Sequence, residues 1–418
     1  MNKKINWLKK ISYQKQNAIA AILKESISSK SDTYSKFPKT AKISEQEIAS
    51  AADARLAEKN ILIVLWFRSL VGGGLHENVY DTVKFIKSAG GNAIIVCPAS
   101  NLSKLLISES NTVYETNFED LPSLAENIIS HHPNLSLIHV HPGKARQLGE
   151  IIHKRINAPI VITIHGKWFD GIDKNNKIYS RVLGVSEYIT QSIRDQSPVG
   201  RHRIITMENA FDESCFYPKS TFKSKKAIFC GRLDNDKRAS IELLYSLWEK
   251  QAKGELPIFS WAIAGDGPLR EEMQAKAVSI FLGVTQLVHF LGWQTRQQLS
   301  ALYQSSMFMI GAGRSSLEAL ACACPIITCS NEFETAAPIY NFNSYLDVAY
   351  SNFGGFGSIH QENTMSNISD FIINIIKDFN TFEKTYLKIA QHLNKTRSEY
   401  IISEKTINCY LDVFNENS

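Results

Sequence analysis

The chain has 418 residues, 44% of them hydrophobic, which is enough for two ordinary domains with substantial cores. Its formal net charge of +5 is unevenly placed, because residues 1–40 hold nine lysines and two acidic residues and the remainder carries −2. A near-neutral body argues against nucleic acid as the main partner, since binding a phosphate backbone requires a basic face.

The cysteines indicate a reducing compartment. There are seven, an odd number, and they form neither CxxC pairs nor a regular framework. No uninterrupted apolar run approaches the 18 residues or so of a membrane span, and the N-terminus lacks a signal-peptide core. The sequence therefore predicts a cytoplasmic protein that is neither secreted nor membrane-spanning.

Residues 1–59 are predicted to be a basic, helical extension that ends in a Ser/Lys-rich linker. Apolar residues from Trp7 to Leu23 recur near helical spacing among lysines. This pattern fits an amphipathic helix in peripheral contact with anionic lipid through residues 1–30. It fits equally a helix that packs on the body of the protein or on a partner protein, and it also fits an ordinary surface helix with a solvated charged face.

A first Rossmann-like domain is predicted over residues 60–215. The run ILIVLWF is typical of a buried strand, and a turn containing Gly72, Gly73 and Gly74, a helical pattern and the strand NAIIVC follow it. The glycines do not fit GxGxxG, and no ribose-binding acid follows the second strand, which disfavours a dinucleotide-dependent oxidoreductase. The pattern still predicts a glycine-rich turn that faces a cleft.

Two later strands of this domain end in histidine, within LSLIHVHPG and APIVITIHG. His141 and His165 therefore fall at the carboxyl ends of parallel strands, where doubly wound sheets bind ligands. His139 lies on the same strand face as His141, because side chains alternate with a period of two. We expect His165, which precedes a glycine, to be a site residue. A metal site is not indicated, because no acid or cysteine cluster stands nearby.

A second Rossmann-like domain is predicted over residues 216–399. Its first strand, AIFCG, ends at Gly231, and Arg232 and Lys237 follow in the next turn, where two cations can neutralise a diphosphate without a metal. The triplet Asp234-Asn235-Asp236 formally matches the DxD pattern of some metal-dependent sugar transferases, but between these cations we expect it to cap the turn.

The segment MFMIGAGRSSLEALACACPIIT, residues 307–328, predicts strand, tight turn, helix and strand. Gly311 and Gly313 let the backbone approach a ligand, and a helix that starts near Ser315 directs free N–H groups at the turn, which favours a phosphate site. The pattern from Ser315 to Glu318 is also that of a capping box, in which Glu318 is structural. This segment alone does not decide between the two interpretations.

The rest of the chain carries no catalytic cluster. Residues 343–358, NSYLDVAYSNFGGFGS, are predicted to be a glycine-containing strand or loop, and residues 366–418 are predicted to be mostly helical.

The motifs GRLDNDK, AGDGPLREEM, VHFLGW and GRSSLEALACACPII occur in the order and spacing of retaining glycosyltransferases of the GT-B fold, and the chain resembles glycosyltransferase family 4. The GGG turn and VITIHG fit the N-terminal domain of that family. The resemblance covers about residues 60–400. It implies an α/β protein with two doubly wound Rossmann-like domains facing a central cleft, and a C-terminal helix at 400–418 that crosses back to the first domain.

The resemblance also implies roles for residues. Arg232 and Lys237 would contact the diphosphate of the donor, His165 would lie near the donor sugar, and Glu318 would hold the nucleotide ribose, which favours ligand binding over capping alone. The N–H groups around Ser315 to Leu317 would hold the distal phosphate. The implied donor-binding residues are Gly73, Gly74, Gly231, Gly311, Gly313, Arg314, Ser315, Ser316, Leu317 and Glu318.

One residue departs from the family pattern. Ile310 stands where the family has a glutamate that contacts the transferred sugar, so we expect an active enzyme with altered sugar contacts. The implied reaction moves a sugar from a nucleotide-diphosphate-sugar to a hydroxyl of a glycan or glycolipid, with retention and without a metal or other cofactor, in bacterial surface polysaccharide or lipopolysaccharide synthesis. The alternatives are a non-catalytic scaffold and a nucleotide-sugar epimerase.

Overall fold

A computed structural model describes residues 53–67, 73–109, 111–166, 168–172, 177–196, 200–219, 224–282, 285–329, 336–354 and 365–416. The predicted N-terminal helix and most of the predicted linker lie outside these residues. Within them, no helix combines the length and the apolar character that crossing a membrane requires.

The first sheet has seven strands in the order β3-β2-β1-β4-β5-β6-β7, and every pairing is parallel. The order reverses between β1 and β4, which places a crevice at the carboxyl ends of these two strands. The strands read as near-continuous apolar runs because helices cover both faces of the sheet. Their bounds are β1 Asn60–Val64, β2 Asn92–Cys97, β3 Thr112–Glu115, β4 Leu135–Val140, β5 Ile160–Ile164, β6 Tyr179–Gly184 and β7 Ile204–Thr206.

Five helices connect these strands, and alternating strand residues divide the core into two clusters. Leu62 and Val64 face the cluster that includes α3, α4 and α5, whereas Ile61 and Ile63 face the cluster that includes α1 and α2. The helices are α1 Gly74–Ser88, α2 Asn101–Ser108, α3 Leu121–His131, α4 Lys144–Ile156 and α5 Glu187–Gln196.

The second sheet has six strands in the order β10-β9-β8-β11-β12-β13, parallel except for the antiparallel pair of β12 and β13. Its strands are β8 Lys226–Cys230, β9 Ser260–Ala264, β10 Val288–Gly292, β11 Phe308–Gly311, β12 Ile326–Cys329 and β13 Ala336–Pro338. Seven helices follow its strands, and they are α6 Arg238–Lys253, α7 Arg270–Ile280, α8 Arg296–Ser305, α9 Arg314–Ala321, α10 Phe342–Tyr350, α11 Met365–Lys377 and α12 Phe379–Arg397. Two helix-covered, largely parallel sheets confirm the predicted fold class.

Helix α10 corrects the prediction of a strand or loop over residues 343–350, and residues 355–358 of the predicted segment lie outside the described residues. The side chain of Asn341 accepts hydrogen bonds from the backbone N–H groups of Asn343 and Ser344, at 2.9 and 3.0 Å, and so starts a helix. Tyr345, Val348 and Ala349 are then buried at helical spacing. The prediction was wrong because it followed the later glycines and missed the cap.

The last helix, α13 (Glu399–Glu416), packs on the first sheet. The Tyr410 hydroxyl lies 2.6 Å from His139 Nδ1 of β4, and Arg181 of β6 donates to the Glu416 carboxylate at 2.6 and 2.7 Å. Helix α13, which follows the second sheet in sequence, therefore crosses back to the first domain.

Replacing Gly149 of α4 by alanine tests how closely this helix packs on the sheet. A Cβ at Gly149 would lie 2.3 Å from Val140 Cγ1 of β4. We expect Gly149→Ala to lower the free energy of unfolding by about 1–3 kcal/mol through overpacking, although alanine favours a helix. Gln147→Ala, on the exposed side of α4, should stay within about 0.5 kcal/mol of the wild type. The midpoints of thermal denaturation of the two variants test this expectation. Equal midpoints would contradict the close contact between α4 and the sheet.

Candidate functional site

The turns at the carboxyl ends of the two sheets meet between the domains. A Cβ on Gly73, at the start of α1, would lie 3.6 Å from Arg232 Cδ, and one on Gly74 would lie 3.8 Å from Arg314 Cβ. The predicted glycine turn of the first domain therefore reaches two predicted donor-binding cations of the second.

The turn after β8 is held by close backbone packing. Leu233 N donates to Asp266 O at 2.9 Å, and a Cβ on Gly265 would lie only 1.9 Å from Gly231 O. Gly231 thus lies at a contact between two turns, and Arg232 follows it at the cleft. No side chain larger than that of glycine fits at position 265, where φ is also +138°.

The aspartates beside Arg232 act as a cap and as ion partners. The Asp234 side chain accepts from Asp236 N at 3.1 Å and caps a short 3-10 helix, Asn235–Lys237, which confirms the predicted turn cap. Arg232 pairs with Asp234 at 3.2 Å and with Asp236, and Lys237 Nζ lies 3.8 Å from Asp236. Both predicted diphosphate-binding cations therefore have a carboxylate that a phosphate would displace.

Helix α9 begins at Arg314, one residue before the predicted start. Gly313 is its N-cap, with φ of +64°. The N–H groups of Ser316 and Leu317 donate to Gly313 O at 3.1 and 3.2 Å, and their predicted contact with a phosphate stays a prediction. Arg314 and Ser315 occupy the first two helical positions, whose N–H groups have no acceptor within a helix.

The structure does not contain the capping box that the sequence offered as one of two interpretations. Ser315 Oγ donates to Ala312 O at 3.1 Å and to Cys230 O at 3.3 Å, instead of capping the helix. Glu318 accepts from Arg314 Nε at 2.9 Å and is only 5% exposed. Burial raises the pKa of Glu318 to about 7, against the opposing effect of Arg314. Its predicted contact with a ribose stays a prediction.

Sequence reasoning missed the ionic network that joins the domains. Asp81 of α1 accepts from Arg314 Nη1 at 2.6 Å and from Arg296 Nη2 at 3.0 Å, and Arg296 also donates to Glu77 at 2.5 Å. Asp81 is 3% exposed. The sequence did contain a sign of this acidic cluster. Glu77 and Asp81 stand four residues apart in the helix that follows the glycine turn, so their side chains lie on one face of that helix.

Ile310 lies inside the second sheet. Its side chain is fully buried in the core between β8 and β12, where it pairs with Phe229 and Ile327. Only Ala312 and Gly313 separate β11 from α9. A carboxylate at position 310 would therefore point into this core.

Three histidines form a stacked column at the carboxyl edge of the first sheet. The rings of His139 and His141 are 5.3 Å apart, those of His141 and His165 are 5.0 Å apart, and His141 Nδ1 lies 2.9 Å from His165 Nε2. The predicted shared face of His139 and His141 is confirmed. Burial lowers the pKa of His139 to about 4 and also lowers the pKa of His165. His165 is therefore neutral at pH 7, and its predicted place near the donor sugar stays a prediction.

Comparison with known proteins agrees with this architecture. The family model described as glycosyl transferases group 1 matches residues 224–338. A glycosyltransferase from Rickettsia africae is 18% identical over 86% of this chain and 99% of its own, with a TM-score of 0.66. HepE from Anabaena, solved with UDP and glucose, is 14% identical over 85% of this chain and 100% of its own, with a TM-score of 0.63.

The chain has the GT-B glycosyltransferase fold. Sucrose-phosphate synthase from Thermosynechococcus elongatus shares it, at 15% identity over 86% of this chain and 100% of its own, with a TM-score of 0.64. No curated protein matches the sequence. The family match falls on the second GT-B domain, which carries Arg232, Lys237 and the α9 turn.

Exchange of Asp81 tests the junction between the two GT-B domains. Asp81→Asn keeps the side-chain shape but removes a charge from the buried ion pair, so we expect the free energy of unfolding to fall by about 3–5 kcal/mol. Glu404→Gln is the control, since its pair with Arg55 is more than a third exposed on both sides and contributes under about 1 kcal/mol. Thermal unfolding of both variants checks this, and equal shifts would argue against a buried network.

The histidine column predicts loss of stability in acid. The unfolded chain binds a proton on His139 near pH 6.5 but the folded chain only near pH 4, so stability falls as pH drops through this window. At pH 5 the cost is about 2 kcal/mol. We expect His139→Gln to show a smaller fall in melting temperature between pH 7 and 5 than the wild type. The exposed His131→Gln should keep the wild-type slope, and identical slopes in all three proteins would refute this.

Proposed function

We propose that this protein transfers a sugar from a nucleotide-diphosphate-sugar to a hydroxyl of a glycan or glycolipid, with retention and without a metal. One observation carries the proposal. Gly73 and Gly74 of the first domain meet Arg232 and Arg314 of the second, at the facing carboxyl ends of two parallel sheets. The family match over the second domain and the UDP and glucose bound to HepE support this choice of donor.

The leaving group is a nucleoside diphosphate, so the site must stabilise negative charge as the bond between sugar C1 and oxygen breaks. Arg232 and Lys237 supply two cations after β8. The N–H groups of Arg314 and Ser315, at the start of α9, supply the positive end of a helix. On this proposal a bound diphosphate takes the place of Asp236 beside Arg232, and no metal is needed.

The acceptor hydroxyl attacks C1 from the side that the diphosphate leaves. Its oxygen forms the new bond to C1, and its proton passes to an oxygen of the departing phosphate, so the anomeric configuration is retained. His165, neutral and held by His141, is proposed to bind the sugar by a hydrogen bond. The closed contact between α1 and the second domain excludes water, which limits hydrolysis of the donor.

The acceptor class and the cellular location rest on the resemblance to family 4. We propose a role in bacterial surface polysaccharide or lipopolysaccharide synthesis, in the cytoplasm and peripherally at the inner face of the membrane through residues 1–30. The nine lysines of residues 1–40 support this location, because they favour an anionic surface.

A donor screen tests the proposed function. We expect one of the UDP-, GDP- or ADP-sugars to raise the melting temperature in the presence of EDTA, with a stabilisation of about 2.7 kcal/mol at 100 times the dissociation constant. Arg232→Gln should weaken this binding at least about tenfold, since it removes a charge-assisted contact to the diphosphate.

Arg238→Gln is the matched control, because Arg238 follows the same turn but pairs with Glu272 at 2.6 Å. It should bind the donor as the wild type does. A folded wild-type protein that responds to no donor would favour the scaffold alternative, and a response that disappears with EDTA would contradict metal independence.

A further inference from the structure

His76 is a buried histidine whose hydrogen-bonding capacity is unused. It lies in the first turn of α1 and is 8% exposed. Within the described part of the chain, neither Nδ1 nor Nε2 has a hydrogen-bond partner. Its ring packs edge-on against Phe67, with centroids 4.2 Å apart. Packing alone does not account for a polar ring here, since a phenyl group would fill the same space without leaving two nitrogens unpaired.

Unpaired buried nitrogens are costly, and native proteins contain few of them. Leaving one buried donor or acceptor unsatisfied costs about 1–3 kcal/mol, so each case calls for an explanation. The imidazole cannot lower the cost by ionising at neutral pH. Burial, with a further contribution from Arg232, lowers the pKa of His76 to about 4. The ring therefore offers one N–H donor and one bare nitrogen acceptor.

His76 stands between residues of α1 that approach the second domain. Two residues before it, Gly74 approaches Arg314, and Gly73 approaches Arg232. The next residue, Glu77, is bound to Arg296 of the second domain. His76 therefore lies where the first domain meets the cations proposed to bind the diphosphate, and a ligand seated beside Arg232 meets this turn of α1.

The one donor and one acceptor of a neutral imidazole indicate which part of a ligand His76 would bind. A phosphate presents only acceptor oxygens at neutral pH and would leave the bare ring nitrogen unpaired, whereas sugar hydroxyls both donate and accept, so two of them can pair with the two nitrogens. We propose that His76 determines donor specificity by hydrogen bonding to hydroxyls of the transferred sugar. This inference rests on the proposed function and adds a sugar-binding residue from the first domain.

His76→Phe is the decisive variant, because it keeps the ring volume and the packing on Phe67 but removes both nitrogens. Isothermal titration would measure the affinity of UDP-glucose, UDP-galactose, UDP-N-acetylglucosamine, GDP-mannose and ADP-glucose, and of free UDP, GDP and ADP. We expect the wild type to prefer one nucleotide-sugar. The variant should bind that nucleotide-sugar at least about tenfold more weakly and the free nucleotide within about threefold of the wild type.

Two further measurements separate a ligand contact from a structural role. The ligand-free His76→Phe protein should melt at the wild-type temperature or above it, because an unsatisfied polar group has been removed. His76→Gln, whose amide also carries a donor and an acceptor, should recover part of the lost sugar affinity.

The outcomes distinguish this inference from the proposed function. A variant that binds the nucleotide-sugar as the wild type does would overturn the role of His76 and leave glycosyl transfer standing. Equal losses for nucleotide and nucleotide-sugar, or a lower melting temperature with no change in affinity, would also overturn it. A wild type that binds none of the eight compounds would overturn both.

Discussion

The buried ion pair between Asp81 and Arg314 fixes the relation of the two domains. Both side chains are 5% exposed, and their charged atoms are 2.6 Å apart. Removing such charges from water costs several kcal/mol each, so the pair adds little stability compared with an apolar contact. What it provides is geometry, because a buried guanidinium tolerates only a position that gives it carboxylate partners. Helix α1 is thereby set against α8 and α9, and the glycine turn that starts α1 is held at the cleft.

The two parts of the cleft differ in charge. In the described part of the junction, the four acids Glu77, Asp81, Asp212 and Glu318 pair with two arginines, Arg296 and Arg314. Arg314 was predicted to bind the donor, but two carboxylates already neutralise it. The cations of the β8 turn are paired with aspartates that are more exposed to solvent. The donor diphosphate that we propose would therefore bind at the β8 turn more readily than at the junction, because the electrostatic cost of displacing a solvated partner is lower.

Local signals predicted the fold well. The parallel strands, the glycine turns and the helix after β11 each depend on patterns within about ten residues, and the structure contains them. The error over α10 was also local, since the Asn341 cap was present in the sequence and was outweighed by later glycines. The ion pairs between the two domains could not be predicted from local patterns. Asp81 and Arg314 are 233 residues apart, and no periodicity within either helix specifies the partner of a buried charge in another domain.

Ile310 shows why residue counting misleads at a site. Counted back from Glu318, it occupies the place of a sugar-binding glutamate, and the sequence suggests a simple exchange. Counting residues does not show which way a side chain points, however. Strand β11 extends past position 310, and the side chain of Ile310 lies in the core. Only two residues, Ala312 and Gly313, separate this strand from the following helix. The sugar contact that we propose for His76 would come instead from the facing domain, where the first turn of α1 approaches Arg232 and Arg314.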